Sequence, residues 1–244
     1  MRGSFLLLGF LLAAVFMAGC RNAPAERREV IRYETQAVED SDRSRLRADL
    51  TTMLLGTNGE PADEDPHVRA AAAQGLGNLG DPADTEALVD AMAGPLADES
   101  TQVRMECAIS LGKLRYSGPL DERRLLVVRT LRNRVAFDRD ASGRPLETEF
   151  MVRSAMLSSL VGLGGRSGAT AIHDIASRLN RDLSSSASMF TGATDKGLLD
   201  RCFEGLCDVT GVPTREAAAH RLTTDDFGKH LEWWADRISQ MSDN

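Results

Sequence analysis

The chain has 244 residues, a formal net charge of -7 and few aromatic residues. Residues 1–19 hold one basic residue, Arg2, and no acidic one, so their removal takes the net charge from -7 to -8. Because contacts to phosphate need clustered lysine and arginine, this acidic composition predicts that nucleic acid is not a partner. The length fits one elongated domain, or one domain with a tail.

The first twenty residues predict export. Arg2 is followed by an apolar run from Phe5 to Met17, which is typical of the apolar core of a signal peptide and too short to span a bilayer. The run closes with Met17-Ala18-Gly19-Cys20. This segment resembles the lipobox of bacterial lipoprotein signals, with Met where Leu is usual. The resemblance implies cleavage before Cys20 and lipidation of its thiol; the alternative is an ordinary secretory signal in which Cys20 is incidental.

Lipidation at Cys20 implies a membrane anchor, because several acyl chains on one cysteine hold a protein stably on a bilayer. The predicted location is therefore the cell envelope, with the protein facing the periplasm or the exterior. Lipoproteins of this kind that stay at the inner membrane often carry Asp after the cysteine. Arg21 stands there in this chain, which favours the outer membrane.

A pattern in the following part of the chain recurs at a distance of 35 residues. Its copies share a Val-Arg pair, small residues and a Leu-Gly pair: Val68-Arg69, Ala72-Ala73 and Leu76-Gly77, then Val103-Arg104, Cys107-Ala108 and Leu111-Gly112. A third copy has Val152-Arg153 and Leu160-Val161, with Leu163-Gly164 at the place of Leu79-Gly80, and a degraded fourth copy runs from Leu198 to Gly211. Such self-similarity predicts a solenoid of helix pairs, which offers long surfaces rather than one catalytic cleft.

Local signals mark the ends of the first repeat. Asp65 is placed to cap its first helix, with Pro66 as the first helical residue, where the missing N–H costs nothing. Gly80 can end this helix in a left-handed conformation. Asp81-Pro82 is expected to start the second helix, and Gly94-Pro95 to stop it.

From about residue 65 to 211 the chain resembles HEAT repeats of the short bacterial type that is also seen in phycobilin lyases. The resemblance implies an all-α fold, a right-handed α-solenoid of antiparallel helix pairs (an armadillo-like superhelix), and a role in protein–protein contact or scaffolding. Arg69, Arg104 and Arg153 match the recurrent arginine of the family. The resemblance implies that each of them pairs with acidic groups of a neighbouring repeat.

These observations divide the chain into three parts. Residues 1–19 are interpreted as the lipoprotein signal peptide, and residues 20–41 as a membrane tether with an N-terminal helical segment. Residues 42–241 are predicted to form the HEAT-like solenoid, with capping helices at both ends. The last of these, over residues 224–241, carries aromatic side chains that suit the open end of a solenoid.

One loop carries candidate metal ligands. Residues 138–149 match an EF-hand calcium loop at five positions: Asp138, Asp140, Ser142, Gly143 and Glu149. However, Pro145 occupies a position whose N–H normally pairs with a second such loop, and the sequence has no second loop. The preferred interpretation is therefore a solvated loop between repeats, with calcium as the one cofactor considered in the alternative.

Other chemistry is sparse, and no catalytic residue is predicted. Apart from Cys20 the chain has an odd number of cysteines, which does not suggest a disulfide framework. Cys107 aligns with Ala72 and is predicted to be a small buried residue. Cys202 and Cys207 lie five apart on one predicted helix, on different faces. The histidines show no metal-ligand spacing.

The leading hypothesis is a lipid-anchored all-helical solenoid that binds another envelope protein and is not an enzyme. Its binding surface would be the groove lined by the second helices, with charged candidates at Glu86, Asp90, Arg129, Arg132, Asp174 and Arg178. One alternative is a ligand-binding or lyase-like enzyme of the phycobilin-lyase type, which export makes less plausible. Another is an envelope structural protein stabilised by calcium.

Overall fold

The computed structural model describes residues 24–37, 40–57, 60–94, 97–184, 192–222 and 227–242. This part of the chain is almost entirely helical, which confirms the predicted all-α class. Its α-helices, in chain order, are α1 (Pro24–Ala37), α2 (Asp40–Leu55), α3 (Pro66–Leu79), α4 (Thr85–Ala93), α5 (Thr101–Leu111), α6 (Glu122–Arg132), α7 (Phe150–Leu163), α8 (Gly165–Ser184), α9 (Gly192–Thr210), α10 (Thr214–Ala217) and α11 (Phe227–Ser239). A short antiparallel pair, β1 (Gly56–Thr57) and β2 (Glu60–Pro61), follows α2.

The helices form two layers. The first layer consists of α1, α3, α5, α7 and α9, each of which packs against the next. The second layer consists of α2, α4, α6, α8 and α11. Each second helix packs mainly on the first helix of the following pair, α2 on α3, α4 on α5, α6 on α7 and α8 on α9. The stack is therefore continuous from α1 to α9, as expected of a solenoid.

The predicted ends of the first repeat are confirmed. The Asp65 side chain accepts a hydrogen bond from the backbone N–H of His67 at 2.7 Å, and Pro66 is the first residue of α3. Gly80 adopts φ 71°, and its N–H donates to the carbonyl of Leu76. The start of the second helix differs slightly, because Pro82–Asp84 first form a 3₁₀ turn before α4 begins.

The Leu-Gly pairs of the repeat mark the places where first helices cross most closely. A Cβ at Gly77 of α3 would lie 2.8 Å from the Cα of Ser110 in α5. A Cβ at Gly112, directly after α5, would lie 3.0 Å from the Cα of Ser159 in α7. The Ser159 hydroxyl also donates to the carbonyl of Ala108 at 2.6 Å. A side chain at either glycine would therefore force the neighbouring backbones apart.

The predicted third and fourth repeats are present as α7 with α8 and as α9. The predicted final helix over residues 224–241 is observed as α11, and residues 224–226 lie outside the described residues. Trp234 of α11 is fully buried, and its indole N–H donates to the carbonyl of His220 at 3.1 Å. Its ring packs edge-on against Phe203 of α9, so the last helix covers the end of the stack.

The N-terminal part of the stack begins earlier than the sequence suggested. In the segment 20–41, predicted as a tether and helical segment, α1 starts at Pro24 and packs against α3, with Ile31 buried. The solenoid was predicted to begin at residue 42, but α2 already starts at Asp40. Helices α1 and α2 thus both pack on α3 and belong to the stack, although their charged sequences conceal the apolar contacts.

Candidate functional site

The three recurrent arginines lie in the first turns of successive first helices, and each forms the predicted ion pair with the next repeat. The pairs are Arg69 with Asp98 at 2.6 Å, Arg104 with Glu147 at 2.8 Å, and Arg153 with Asp195 at 2.9 Å. All six side chains are largely buried, and Arg153 and Asp195 are almost completely so. We call this row, with the pair described below, the arginine ladder.

Each rung also fixes the loops on both sides of it. Arg69 donates to the carbonyls of Asp63 and Glu64, which precede its own helix, and Arg104 does the same with Asp98 and Glu99. The acidic partners are held in turn by their own loops. The Asp98 carboxylate accepts the N–H of Ser100, and the Glu147 carboxylate that of Glu149.

A fourth rung was not predicted. Arg27 of α1 forms an ion pair of 2.5 Å with Asp63, whose carboxylate also accepts the N–H of Asp65. Asp63 thus occupies the position that Asp98 and Glu147 have in the following repeats. The signal for it was the basic residue in the first turn of α1, but α1 lacks the Ala and Leu-Gly pattern that marks the other repeats.

The ladder is therefore structural. Its charges are already paired and hydrogen-bonded, so they cannot serve a ligand without breaking the stack. The opposite edge, where first helices turn into second helices, has its own connections. Arg47 of α2 binds Asp84 with two nitrogens, at 3.0 and 2.7 Å. Burial raises the pKa of Asp84, and the hydrogen bond to Asp84 raises the pKa of Arg47.

The charged residues predicted to line the binding groove all lie on the second helices, but half of them already form ion pairs within the chain. Arg132 pairs with Asp174 at 3.0 Å and lies over the ring of Phe137 at 4.4 Å. Arg178 pairs with Asp182, which also binds Arg139. These contacts join α6 and the π-helical turn after it, Asn133–Phe137, to α8.

The remaining candidates are more accessible. Glu86 and Arg129 are exposed on α4 and α6, and Asp90 is half-buried on α4. Arg129 has a neighbour that the sequence analysis did not single out, Leu126, which is 37% exposed. Leu120, just before α6, is 78% exposed. We call the surface formed by Glu86, Leu126 and Arg129 the α4–α6 face.

The candidate calcium ligands do not converge. The Asp140 carboxylate accepts the N–H groups of Ser142 and Arg144 and the Ser142 hydroxyl, so it closes a tight turn. Glu149 is exposed and precedes α7, and Asp138 contributes its backbone to the turn. Within the described residues no group of three or more His, Cys, Asp or Glu could hold a metal ion. The loop geometry therefore gives the calcium alternative no support.

The three cysteines of the described part of the chain, Cys107, Cys202 and Cys207, are buried and free. Burial raises the pKa of the Cys107, Cys202 and Cys207 thiols, so none has the character of a reactive thiolate. Cys107 packs as the small buried residue that was predicted. Cys20 lies outside the described residues. None of the helices in the described ranges is long and apolar enough to cross a membrane.

The match to a protein-family model supports the repeat architecture in the first two clear repeats. Residues 62–136 match the family model for HEAT repeats. Among solved structures, the complex of CpcE and CpcF of phycocyanin lyase from Nostoc sp. PCC7120 is 20% identical, with a TM-score of 0.39, covering 72% of this chain and 97% of that one. Human deoxyhypusine hydroxylase in complex with glycerol is 19% identical, with a TM-score of 0.32, covering 93% and 84%. No curated protein was found to match in sequence.

The family match spans α3 to α6 and the π-helical turn that follows, which are the two repeats with the clearest sequence pattern. The ladder pairs at Arg27 and Arg153 lie outside that range, yet each also joins the first turn of a first helix to the following repeat. Residues 62–136 are therefore HEAT repeats, and the helix pairs before and after them continue the same two-layered stack.

Proposed function

We propose that this protein is a lipid-anchored scaffold of the cell envelope that binds another protein through the α4–α6 face. The observation that carries the proposal is the exposure of Leu126 beside Arg129 on α6, the middle helix of the second layer. Arginine is enriched at protein interfaces and among the residues that dominate their binding energy, and the exposed leucine beside it adds apolar area for a partner to cover.

The position of these residues supports the assignment. Helix α6 packs between α4 and α8, so the surroundings of Leu126 are formed by rigid helices and not by loops. Residues 126 and 129 are three apart and lie on the same side of α6. The Arg129 side chain makes no hydrogen bond or ion pair within the described part of the chain. A partner could therefore bind it without breaking an existing contact.

The charges around Leu126 and Arg129 favour a partner with a complementary charge pattern over partners that offer only an apolar surface. Glu86 contributes a negative charge from α4, and the pair of Arg132 and Asp174 borders the face on the side of α8. Charges of both signs in fixed positions select a partner with the complementary pattern, and they exclude partners that would place like charges together.

The lipid anchor would hold the N-terminal end of the stack close to the membrane. Only residues 21–23 separate Cys20 from the start of α1, and four residue steps span at most ~14 Å. A lipid on Cys20 would thus keep α1 and the edge of the stack that carries the arginine ladder near the bilayer. The partner is then a protein that is itself at, or reaches, the membrane surface.

Metabolic labelling with a radioactive or clickable fatty acid tests the anchor. The wild-type chain is expected to incorporate the label, and Cys20→Ala to lose both the label and the membrane fraction. Cys107→Ala is the matched control, because it removes a buried cysteine and should leave labelling unchanged. Equal labelling of Cys20→Ala and the wild type would contradict the lipoprotein assignment.

Crosslinking in cells, followed by affinity purification and mass spectrometry, tests the scaffold. A stoichiometric envelope protein is expected with the wild type and with Ser158→Asp, which changes an exposed residue of the first layer. Leu126→Asp and Arg129→Glu are each expected to lose that protein while remaining folded. Recovery of the same protein from all four chains would contradict the α4–α6 face. A copurifying small molecule without a protein would instead favour the lyase-like alternative.

A further inference from the structure

A cavity of about 350 Å³ lies at the edge of the stack opposite the arginine ladder, where first helices turn into second helices. Its walls come from the loop between α5 and α6, the first turn of α6, and the end of α7 with the start of α8. It lies where the loop within the second clear repeat, between α5 and α6, meets the turn within the third, between α7 and α8.

The charge of this cavity is unusual for an acidic protein. Two arginines line it, Arg115 from the α5–α6 loop and Arg124 from α6, and none of the other lining residues is charged. With a net charge of -7 for the whole chain, a concave surface with two positive and no negative side chains stands out. Positive side chains that line a concave surface attract anions.

Arg124 supplies a fixed positive charge. Its guanidinium is buried and donates to four neutral acceptors: the carbonyls of Pro119, Leu163 and Gly164 and the hydroxyl of Ser167, at 2.8 to 3.0 Å. No carboxylate is bonded to it, and burial lowers the pKa of this guanidinium. Arg124 is therefore a buried positive charge, and none of the groups that accept its hydrogen bonds is negatively charged.

Arg115 supplies a guanidinium that is available to a ligand. It is exposed, and its side chain makes no hydrogen bond or ion pair with the described residues. Its backbone is held in place, because its N–H donates to the carbonyl of Gly80 at 2.9 Å. The position of the side chain beside Gly80 leaves the guanidinium free to turn into the cavity.

Glycine backbone forms much of the remaining wall. Gly112, Gly118, Gly162 and Gly165 line the cavity, and a Cβ at Gly118 would meet nothing within 4 Å. A ligand can therefore approach the peptide groups closely. Gly165 is also the first residue of α8, whose first N–H groups have no acceptor within the helix. These groups add to a site that the two arginines already define.

We propose that this cavity binds an oxyanion, a phosphate or carboxylate group, which the Arg115 guanidinium contacts directly while Arg124 provides a fixed positive charge behind it. None of the described residues binds the Arg115 guanidinium, so it can form a charge-assisted, bidentate contact with such an anion. Arg124 cannot turn toward the ligand without releasing its carbonyls, so its effect is electrostatic.

The position of the cavity favours a free anion over a lipid headgroup. The anchor would attach at the N-terminal end of α1, on the edge of the stack that carries the arginine ladder. The first helices, of 11 to 14 residues in α3, α5 and α7, separate that edge from the cavity. At 1.5 Å per residue this is about 16 to 21 Å. A headgroup in the leaflet that holds the anchor would not reach it.

Nuclear magnetic resonance with selective glycine labelling tests the site. The full chain, solubilised in detergent and labelled with ¹⁵N only at its 21 glycines, is titrated with inorganic phosphate. We expect saturable shifts of the amide signals from the glycines that line the cavity; the signals of Gly118 and Gly162, where a Cβ fits without a close contact, are assigned by Gly118→Ala and Gly162→Ala. In Arg115→Gln the apparent Kd should rise about tenfold or more, since a charge-assisted contact is lost.

A control variant tests whether the effect is specific to Arg115, and a lipid titration tests whether the anion is free or part of a headgroup. Arg123→Gln removes an exposed arginine beside the cavity wall and should bind phosphate like the wild type. Short-chain phosphatidylglycerol added to the micelles separates the sources. Shifts with inorganic phosphate alone indicate a free anion, and shifts with the lipid alone indicate a headgroup. No saturable shift in either arm, or equal affinity in Arg115→Gln and the wild type, would overturn the proposal.

Discussion

Replacing Asp195 by Asn tests whether the buried rungs of the arginine ladder hold the stack together. The Arg153 guanidinium donates to Asp195 at 2.9 Å and to the carbonyl of Val135 at 2.9 Å, and its second terminal nitrogen is buried without an acceptor. The ion pair joins α7 to α9. Asn at this position keeps the shape of the side chain but removes the counter-charge.

The expected cost follows from the burial of both partners. Their side chains are only 2% and 3% exposed, so water cannot replace the lost carboxylate. Leaving one buried charge without its partner costs about 3–5 kcal/mol. Asn can still accept one hydrogen bond, so the lower end of this range, about 3 kcal/mol, is expected. Removing both charges with Arg153→Met and Asp195→Leu should recover most of the loss, because buried ion pairs barely exceed well-packed apolar groups in stability.

The chain offers a control in an ion pair of similar length that is exposed. Arg201 and Glu204 of α9 lie 3.0 Å apart, and their side chains are 57% and 59% exposed. Glu204→Gln is expected to cost less than about 0.5 kcal/mol, as surface pairs generally do. The assay is urea unfolding followed by circular dichroism, which gives the free energy of unfolding of each variant. A loss below 1 kcal/mol in Asp195→Asn, or a loss equal to that of Glu204→Gln, would refute the reasoning.

Three further predictions concern the packing, the pH dependence and the loop. Gly77→Ala should destabilise the fold by about 1–3 kcal/mol in urea unfolding, because its Cβ would meet the Ser110 backbone; Gly228→Ala, with nothing within 4 Å, should not destabilise it. Burial raises the pKa of Tyr116 from 10.0 to about 12. The contribution of its neutral hydroxyl to the free energy of unfolding is therefore complete below pH 10 and is lost as the pH rises toward 12. The alkaline loss of stability should be smaller in Tyr116→Phe, and equal pH profiles would contradict this. Millimolar calcium should not change the melting temperature relative to chelator, since the carboxylates of loop 138–149 do not converge; a saturable rise would restore that site.

The sequence predicted the repeats well because each clear repeat combines several signals in the same register. In α3 a cap residue, a first-turn proline, an apolar stripe and a terminal glycine agree with one another. The arginines followed from the same register, since Arg69, Arg104 and Arg153 share one position in their helices. The right-handed sense of the superhelix and the concavity of its second layer stay predictions.

The partners of these arginines could not be predicted, because they lie in loops of different length. Asp98 and Glu147 are 29 and 43 residues from their arginines, and only the folded loops bring them to equivalent places. Glu147 lies within the candidate calcium loop, where the EF-hand pattern directed attention to Asp140 and Glu149. The folded chain uses Glu147 for the ladder and Asp140 for a turn.

Helix α1 and Arg124 were missed for a different reason. The sequence of α1 is rich in charge, so its packing on α3 shows only when Ile31 and the Arg27–Asp63 pair are seen together. Arg124 lies in a charged segment that resembles a solvated helix face. Its burial results from the turn between α7 and α8, which closes over it from 39 and 40 residues away.

Photocrosslinking in cells tests the central claim most directly, by placing a photoreactive residue at position 126 or at position 158 of the otherwise intact chain. Both positions are solvent-exposed, one on the second layer and one on the first. If the α4–α6 face binds an envelope protein, light should join position 126 to one defined protein and position 158 to none at comparable yield. Equal yields at the two positions, or a defined product only from position 158, would contradict the account.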